Sequence, residues 1–133
     1  MDPVTVEGRA AAELLARKGS IAQAATDALY TEMPELTSRY GVVGRERCLE
    51  DIRYTIDHLI PAVDLAQPSM FATYVHWLDD LLRARNVSTR EVIRSLELIE
   101  LKVRSELAPD EATAVAACIR AGLESLGAAK GNE

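Results

Sequence analysis

From Ile21 to Leu126 the apolar side chains return every three or four residues, and that spacing excludes most folds. Ile21, Ala24, Ala25, Ala28, Leu29 and Met33 form one such run, and Leu49, Ile52, Ile56, Leu59, Ile60 and Val63 form the next. Phe71, Tyr74, Val75, Leu78, Leu81 and Leu82 form a third, with Trp77 beside it. Val92, Leu96, Ile99, Val103 and Leu107 continue the pattern, followed by Ala112, Val115, Ala116, Ile119, Leu123 and Leu126. Each run puts its apolar residues on one face of a helix and would scatter them over both faces of a strand. Alternation of the strand kind occurs only in Val4-Thr5-Val6, which is too short to form one. The chain is therefore expected to be all-α: one domain over residues 1–133, with a core from about 8 to 126.

Punctuation divides the pattern into about six helices. Ala10-Ala-Ala-Glu-Leu-Leu-Ala16 favours helix by intrinsic propensity, and Gly19-Ser20 is expected to end it and cap a second helix. Pro34 stops that second helix, and the segment from Glu35 to Gly44 reads as a loop with a short turn. A third helix begins near Arg45, with a kink or an early end at Pro61. Ser69 is expected to cap the fourth. Ser88-Thr-Arg-Glu91 has the form of a capping box and opens the fifth, and Pro109 starts the sixth. The tail from Gly127 is expected to fray.

Charge and cysteine usage narrow the function classes. A formal net charge of -6 disfavours nucleic acid and anionic membrane surfaces as partners. No apolar run approaches the roughly 20 residues of a membrane span, and Met1-Asp-Pro-Val-Thr-Val-Glu7 is not a signal sequence, so a cytoplasmic location is expected. Cys48 and Cys118 make neither a disulfide framework nor a metal-binding pair, and free thiols are expected. With 48% hydrophobic residues in a small domain, association through helices, as a homodimer or with other chains, is expected.

The residues that bear chemistry gather in Arg45-Glu-Arg-Cys-Leu-Glu-Asp-Ile-Arg-Tyr-Thr-Ile-Asp-His58. Cys48, Asp51, Thr55 and His58 are spaced by three, four and three, which sets them on one helical stripe. Such a row serves either as a ligand wall or as the edge of a packed face. In the second reading Asp51 pairs with Arg47 one turn back, and Cys48 is a small side chain at a packing boundary. An enzyme is not expected: Cys48 and His58 lie about 15 Å apart along the helix, too far for proton transfer, and no glycine-rich phosphate loop occurs.

Read end to end, the chain resembles a phycobiliprotein subunit, a member of the globin-like group. Ile21-Ala-Gln-Ala-Ala-Thr-Asp-Ala-Leu-Tyr-Thr-Glu-Met-Pro34 is similar to the family's second core helix. Cys48-Leu-Glu-Asp51 with Ile52-Arg-Tyr54 resembles its Cys-x-Arg-Asp signature. Leu78-Asp-Asp-Leu81, Val87-Ser88 and Arg94-Ser-Leu-Glu-Leu-Ile99 follow in the family's order. A counterpart of the family's N-terminal helical hairpin is not expected, since only about nine residues precede the first core helix. The resemblance implies a globin-like packing, with a linear tetrapyrrole (bilin) bound as a thioether on Cys48. It also implies that Asp51 accepts hydrogen bonds from the pyrrole N–H groups, and that Tyr54, Tyr74 and Trp77 wall the cleft with Thr55 and His58 along the same stripe. Glu50 stands where the family's propionate-binding Arg is expected, and Arg47 or Arg53 is the replacement within one turn. Trp77 falls where the family tends to have a small residue, so its indole is expected to reach into the pocket.

Two functions follow as expectations. The first is a sensory or other small-ligand-binding protein with a bilin at Cys48 and Asp51. The second is a ligand-free regulatory module that associates with signalling or phycobiliprotein-like chains. Haem, which would use His58 and His76 across a cleft, ranks below bilin because only 18 residues and Pro61 separate the two histidines.

Overall fold

The computed structural model describes residues 5–127. These form five helices: α1 (Val6–Glu32), α2 (Glu35–Asp64), α3 (Pro68–Arg83), α4 (Thr89–Glu106) and α5 (Pro109–Ser125). No strand occurs among the described residues. The Val4 end of the alternating tripeptide and the tail beyond Gly127 lie outside them.

Five helices replace the expected six because α1 runs unbroken through Gly19-Ser20. A glycine inside a helix costs only about 1 kcal/mol relative to alanine. Continuing the helix keeps Leu14, Ile21, Ala25 and Leu29 on one buried stripe, and that burial outweighs the cost. Gly19 and Ser20 face solvent. The Thr5 hydroxyl caps the start of α1, accepting from the Gly8 N–H at 2.9 Å.

The expected loop from Glu35 to Gly44 is helical instead. Its break is real but sits at one residue: Gly41 has φ 69° and ψ -166°, and the chain is helical on either side. That combination is essentially restricted to glycine. Pro61 does not end the helix, and its backbone stays helical. It sits on the exposed side of α2, where its missing N–H leaves one exposed carbonyl to water, and α2 continues to Asp64. In α3 the proline is the first helical residue, and Ser69 lies inside the first turn without acting as the cap. The Ser88–Glu91 capping box is present as expected. The Glu91 N–H donates to Ser88 Oγ, and the Ser88 N–H donates to Glu91 Oε2, both at 3.3 Å.

The core is a continuous apolar cluster drawn from all five helices, with Phe71, Leu14, Ile21, Ile56, Leu59 and Ile119 among its most buried members. α1 packs along α2, and α3 packs along α5. α4 closes the arrangement against both α1 and α5. Gly122 sets the α3–α5 approach, because a Cβ there would lie 2.9 Å from Val75 Cγ2 and 3.1 Å from the Phe71 ring. Three acidic side chains are buried at the rim of the packing. Glu100 pairs with Arg104 and Arg120, and Asp79 pairs with Arg83 and accepts from the Thr89 hydroxyl. Glu91 is the third, held by the capping box.

Candidate functional site

A cavity of about 340 Å³ opens between the C-terminal end of α1, the first half of α2, the end of α3 and the start of α4. Its volume falls within the range of roughly 300–1,000 Å³ typical of ligand pockets. The floor is apolar, from Leu29, Ile52, Leu78, Leu82, Leu96 and Ile99. Polar groups converge on the rim: Cys48, Asp51 and Thr55 from α2, and Tyr30, Tyr40 and Glu91 from other segments. Three arginines, Arg39, Arg47 and Arg85, complete it.

Cys48 is mostly buried in this wall. Burial pushes its thiol up to about 11, with the Asp51 carboxylate acting in the same direction and the Thr26 hydroxyl opposing. The thiol is therefore neutral at pH 7. Asp51 is half-buried, and burial raises its pKa against the pull of Arg85 and Arg47. Its carboxylate has no hydrogen bond or ion pair within 4 Å among the described residues, and it lines the cavity. The expected Asp51–Arg47 ion pair is not formed. Arg85, which arrives from the α3–α4 turn, exerts the larger effect on Asp51.

Thr55 marks the point where the stripe leaves the cavity. Its hydroxyl donates to the Asp51 carbonyl at 2.8 Å, and its oxygen lies 3.3 Å from the Tyr74 hydroxyl. Because the Thr55 hydrogen is already committed, the Tyr74 hydroxyl is the donor in that pair. The Tyr74 ring stacks on His58, with centroids 4.1 Å apart and planes 11° from parallel. His58 Nδ1 donates to the Tyr54 carbonyl at 2.9 Å.

The sequence-derived site therefore divides in two. Cys48, Asp51, Arg47 and Thr55 come together on the cavity wall. Tyr54, His58, Tyr74 and Trp77 do not line it: Tyr54, His58 and Trp77 are exposed on the outer face of α2 and α3, and Tyr74 is buried beside them, in ring contact with His58 and Trp77. Trp77 is 56% exposed and Tyr54 63% exposed, so the indole leaves the cavity free. Trp77 points outward because it lies off the Phe71–Tyr74–Leu78–Leu82 stripe that α3 buries. The haem geometry is not present either: His58 and His76 are both exposed and neither lines the cavity.

Sequence reasoning missed Tyr30, Arg39, Tyr40, Arg85 and Glu91. These lie 8 to 43 positions from Cys48 in the sequence, Tyr40 the nearest and Glu91 the farthest. One signal for them existed. The closely spaced Pro34, Gly41 and Gly44 bracket Arg39 and Tyr40 and mark a segment folded back toward the helix that follows. No group of three or more His, Cys, Asp or Glu among the described residues is placed to hold a metal ion. No helix among the described residues is long and apolar enough to cross a membrane.

Among curated proteins, none matches the chain. A family model described as phycobilisome protein matches residues 5–126, which takes in all five helices and every residue of the cavity wall. The all-α packing described above is the globin-like architecture of that family. On the extent of that match the chain belongs to the phycobilisome protein family.

Proposed function

We propose that the protein binds a linear tetrapyrrole in the Cys48–Asp51 cavity and acts as a pigment-binding protein of sensory type, not as an enzyme. The observation that carries this reading is the unpaired, half-buried Asp51 carboxylate facing an apolar cavity rimmed by three arginines. These residues fit the group chemically. A bilin is a flat apolar chain with N–H donors along one edge and carboxylates on another, and it supplies visible-light absorption when bound.

In this reading Asp51 accepts hydrogen bonds from the pyrrole N–H groups, a charge-assisted contact strengthened by the apolar floor. Arg47 and Arg85 stand beside it to pair with carboxylates, which offsets the loss of an Arg at Glu50. Glu50 is exposed and does not line the cavity. Thr55 fixes the Asp51 turn from below. Cys48 holds a protonated thiol at neutral pH, its pKa pushed up to about 11 by burial. In this reading the Asp51 and arginine contacts hold the pigment whether or not a thioether forms.

The test is expression with bilin biosynthesis, followed by absorbance and by denaturing electrophoresis for covalent pigment. Native protein is expected to be coloured, and Asp51→Asn to lose or strongly shift the band. Cys48→Ala is expected to keep colour under native conditions and to show none after denaturation. Colourless wild type under these conditions sinks the pigment reading.

A second reading has its own support. The exposed Tyr54, Trp77 and His58 form an aromatic face unusual for a surface meant only for water. It suits association with another helical chain, either a second copy or a related phycobiliprotein-like subunit, in a soluble cytoplasmic assembly. Sedimentation of wild type against Trp77→Ala tests this: equal, monomeric behaviour of both rules it out.

A further inference from the structure

Residues 35–40 form one and a half turns of helix set between two breaks in the chain. Pro34 precedes them and contributes no N–H and no side-chain cap. Gly41 follows at φ 69°, where the backbone turns sharply before α2 resumes. The inner side of this segment closes the cavity with Leu36, Arg39 and Tyr40, while Glu35, Thr37 and Ser38 face solvent.

Few polar contacts hold it down. The Tyr40 hydroxyl donates to the Asn86 carbonyl at 3.0 Å, which ties the segment to the α3–α4 turn across the cavity mouth. Asn86 presents that carbonyl from a left-handed conformation, φ 66°. Arg39 lies 3.8 Å from Glu91 and stacks on the Tyr40 ring. At its near end the segment is joined by the Leu36 N–H to the Met33 carbonyl, 3.0 Å. Gly44 matters from below: a Cβ there would collide with Tyr40 Cβ, so the absence of a side chain lets Tyr40 lie down over the cavity.

We propose that residues 35–40 are a lid over the cavity, hinged at Pro34 and Gly41 and latched by Tyr40 to Asn86, whose opening admits the ligand and uncovers Cys48. The hinge glycine absorbs the backbone rotation, the latch is one neutral hydrogen bond, and the segment gives the core only Leu36 and the half-buried Tyr40. Cys118 is buried on α5, away from the lid, and serves as an internal reference for whole-chain opening.

The test reads the lid without any pigment, so its failure is separable from failure of the bilin reading. Wild-type protein is treated with iodoacetamide under native conditions, and the labelling rate of each cysteine is followed by peptide mass spectrometry. Cys48 is expected to label faster than Cys118 and more slowly than in the denatured chain. Tyr40→Phe is expected to raise the Cys48 rate roughly three- to tenfold, the equivalent of one net hydrogen bond, and to leave Cys118 unchanged. Its pH midpoint for labelling should stay at the wild-type value, which separates access from reactivity. Gly44→Ala, if it folds, should act in the same direction by displacing Tyr40. Equal labelling rates for the two cysteines, an unchanged Cys48 rate in Tyr40→Phe, or an increase explained by a lowered pH midpoint each overturns the lid.

Discussion

Asp51 sits one helical turn beyond Cys48, and its carboxylate adds to burial in making that thiol harder to ionise. The consequence for stability has a definite sign. The thiol pKa is raised on folding, from an ordinary value near 9 to about 11, so the contribution is fully present below pH 9 and is lost as pH rises through 11. The loss is on the order of 2–3 kcal/mol. Tyr30, Tyr40 and Tyr74 are also raised by burial and act in the same direction, so the thiol has to be isolated by substitution. Urea unfolding of wild type and Cys48→Ala at pH 8 and pH 11 should show the gap between them narrowing by that amount. A gap independent of pH would contradict the buried, neutral thiol. At the same scale, the stripe from Cys48 to His58 divides for a geometric reason. Ten residues make about 2.8 turns, so His58 falls some 80° short of alignment with Cys48. That rotation carries it from the cavity wall to the outer face, where it stacks on Tyr74.

Helices in this chain begin and end where backbone groups find partners, and the clearest example is the start of α4. The Ser88–Glu91 box satisfies two N–H groups at once, and Glu91 is also part of the cavity rim. Ser88→Ala should cost about 1 kcal/mol, read as a lowered urea midpoint with an unchanged slope. A change in slope instead would indicate that α4 had detached in part. This capping box was legible because its residues are adjacent and their bonding is local. Gly19-Ser20 misled for the complementary reason: as local signals they end a helix, and only the buried stripe on either side of them keeps α1 continuous. Residues 35–44 misled in the same way. The chain does break at Pro34 and at Gly41, but not at Gly44, and the residues between the two breaks are helical because Leu36 has a core to enter.

Across the molecule, α3 packs closely along α5 through Val75 and Phe71, and its far end lends Leu78 and Leu82 to the cavity. Gly122 permits that approach, and its replacement by alanine would press a methyl group against Val75 and Phe71, both fully buried. Gly122→Ala should destabilise the fold by about 1–3 kcal/mol, the cost of overpacking a well-filled core. Thermal unfolding followed by circular dichroism is the check, and a melting temperature at or above that of wild type would show that the contact relaxes freely. The cavity itself is assembled from four helices whose contributions are far apart in the chain. Leu29 and Tyr30 come from α1, Cys48 and Asp51 from α2, Arg85 from the turn after α3, and Glu91 from α4.

The all-helical class, the apolar face of every helix and the Cys48–Asp51 pair were readable from the sequence alone, because each depends on spacings within two or three helical turns. The resemblance on those same residues extended the reading to the family. What the residues alone did not carry is which side of the stripe faces the ligand. Tyr54, His58 and Trp77 are chemically as suited to a cleft as Arg85, Tyr40 and Glu91. Their separation into outer face and cavity rim follows from helix rotation and crossing, which are set by how α2, α3 and α4 pack against one another. Local periodicity specifies what each helix buries, and only the tertiary packing decides which of the remaining side chains converge.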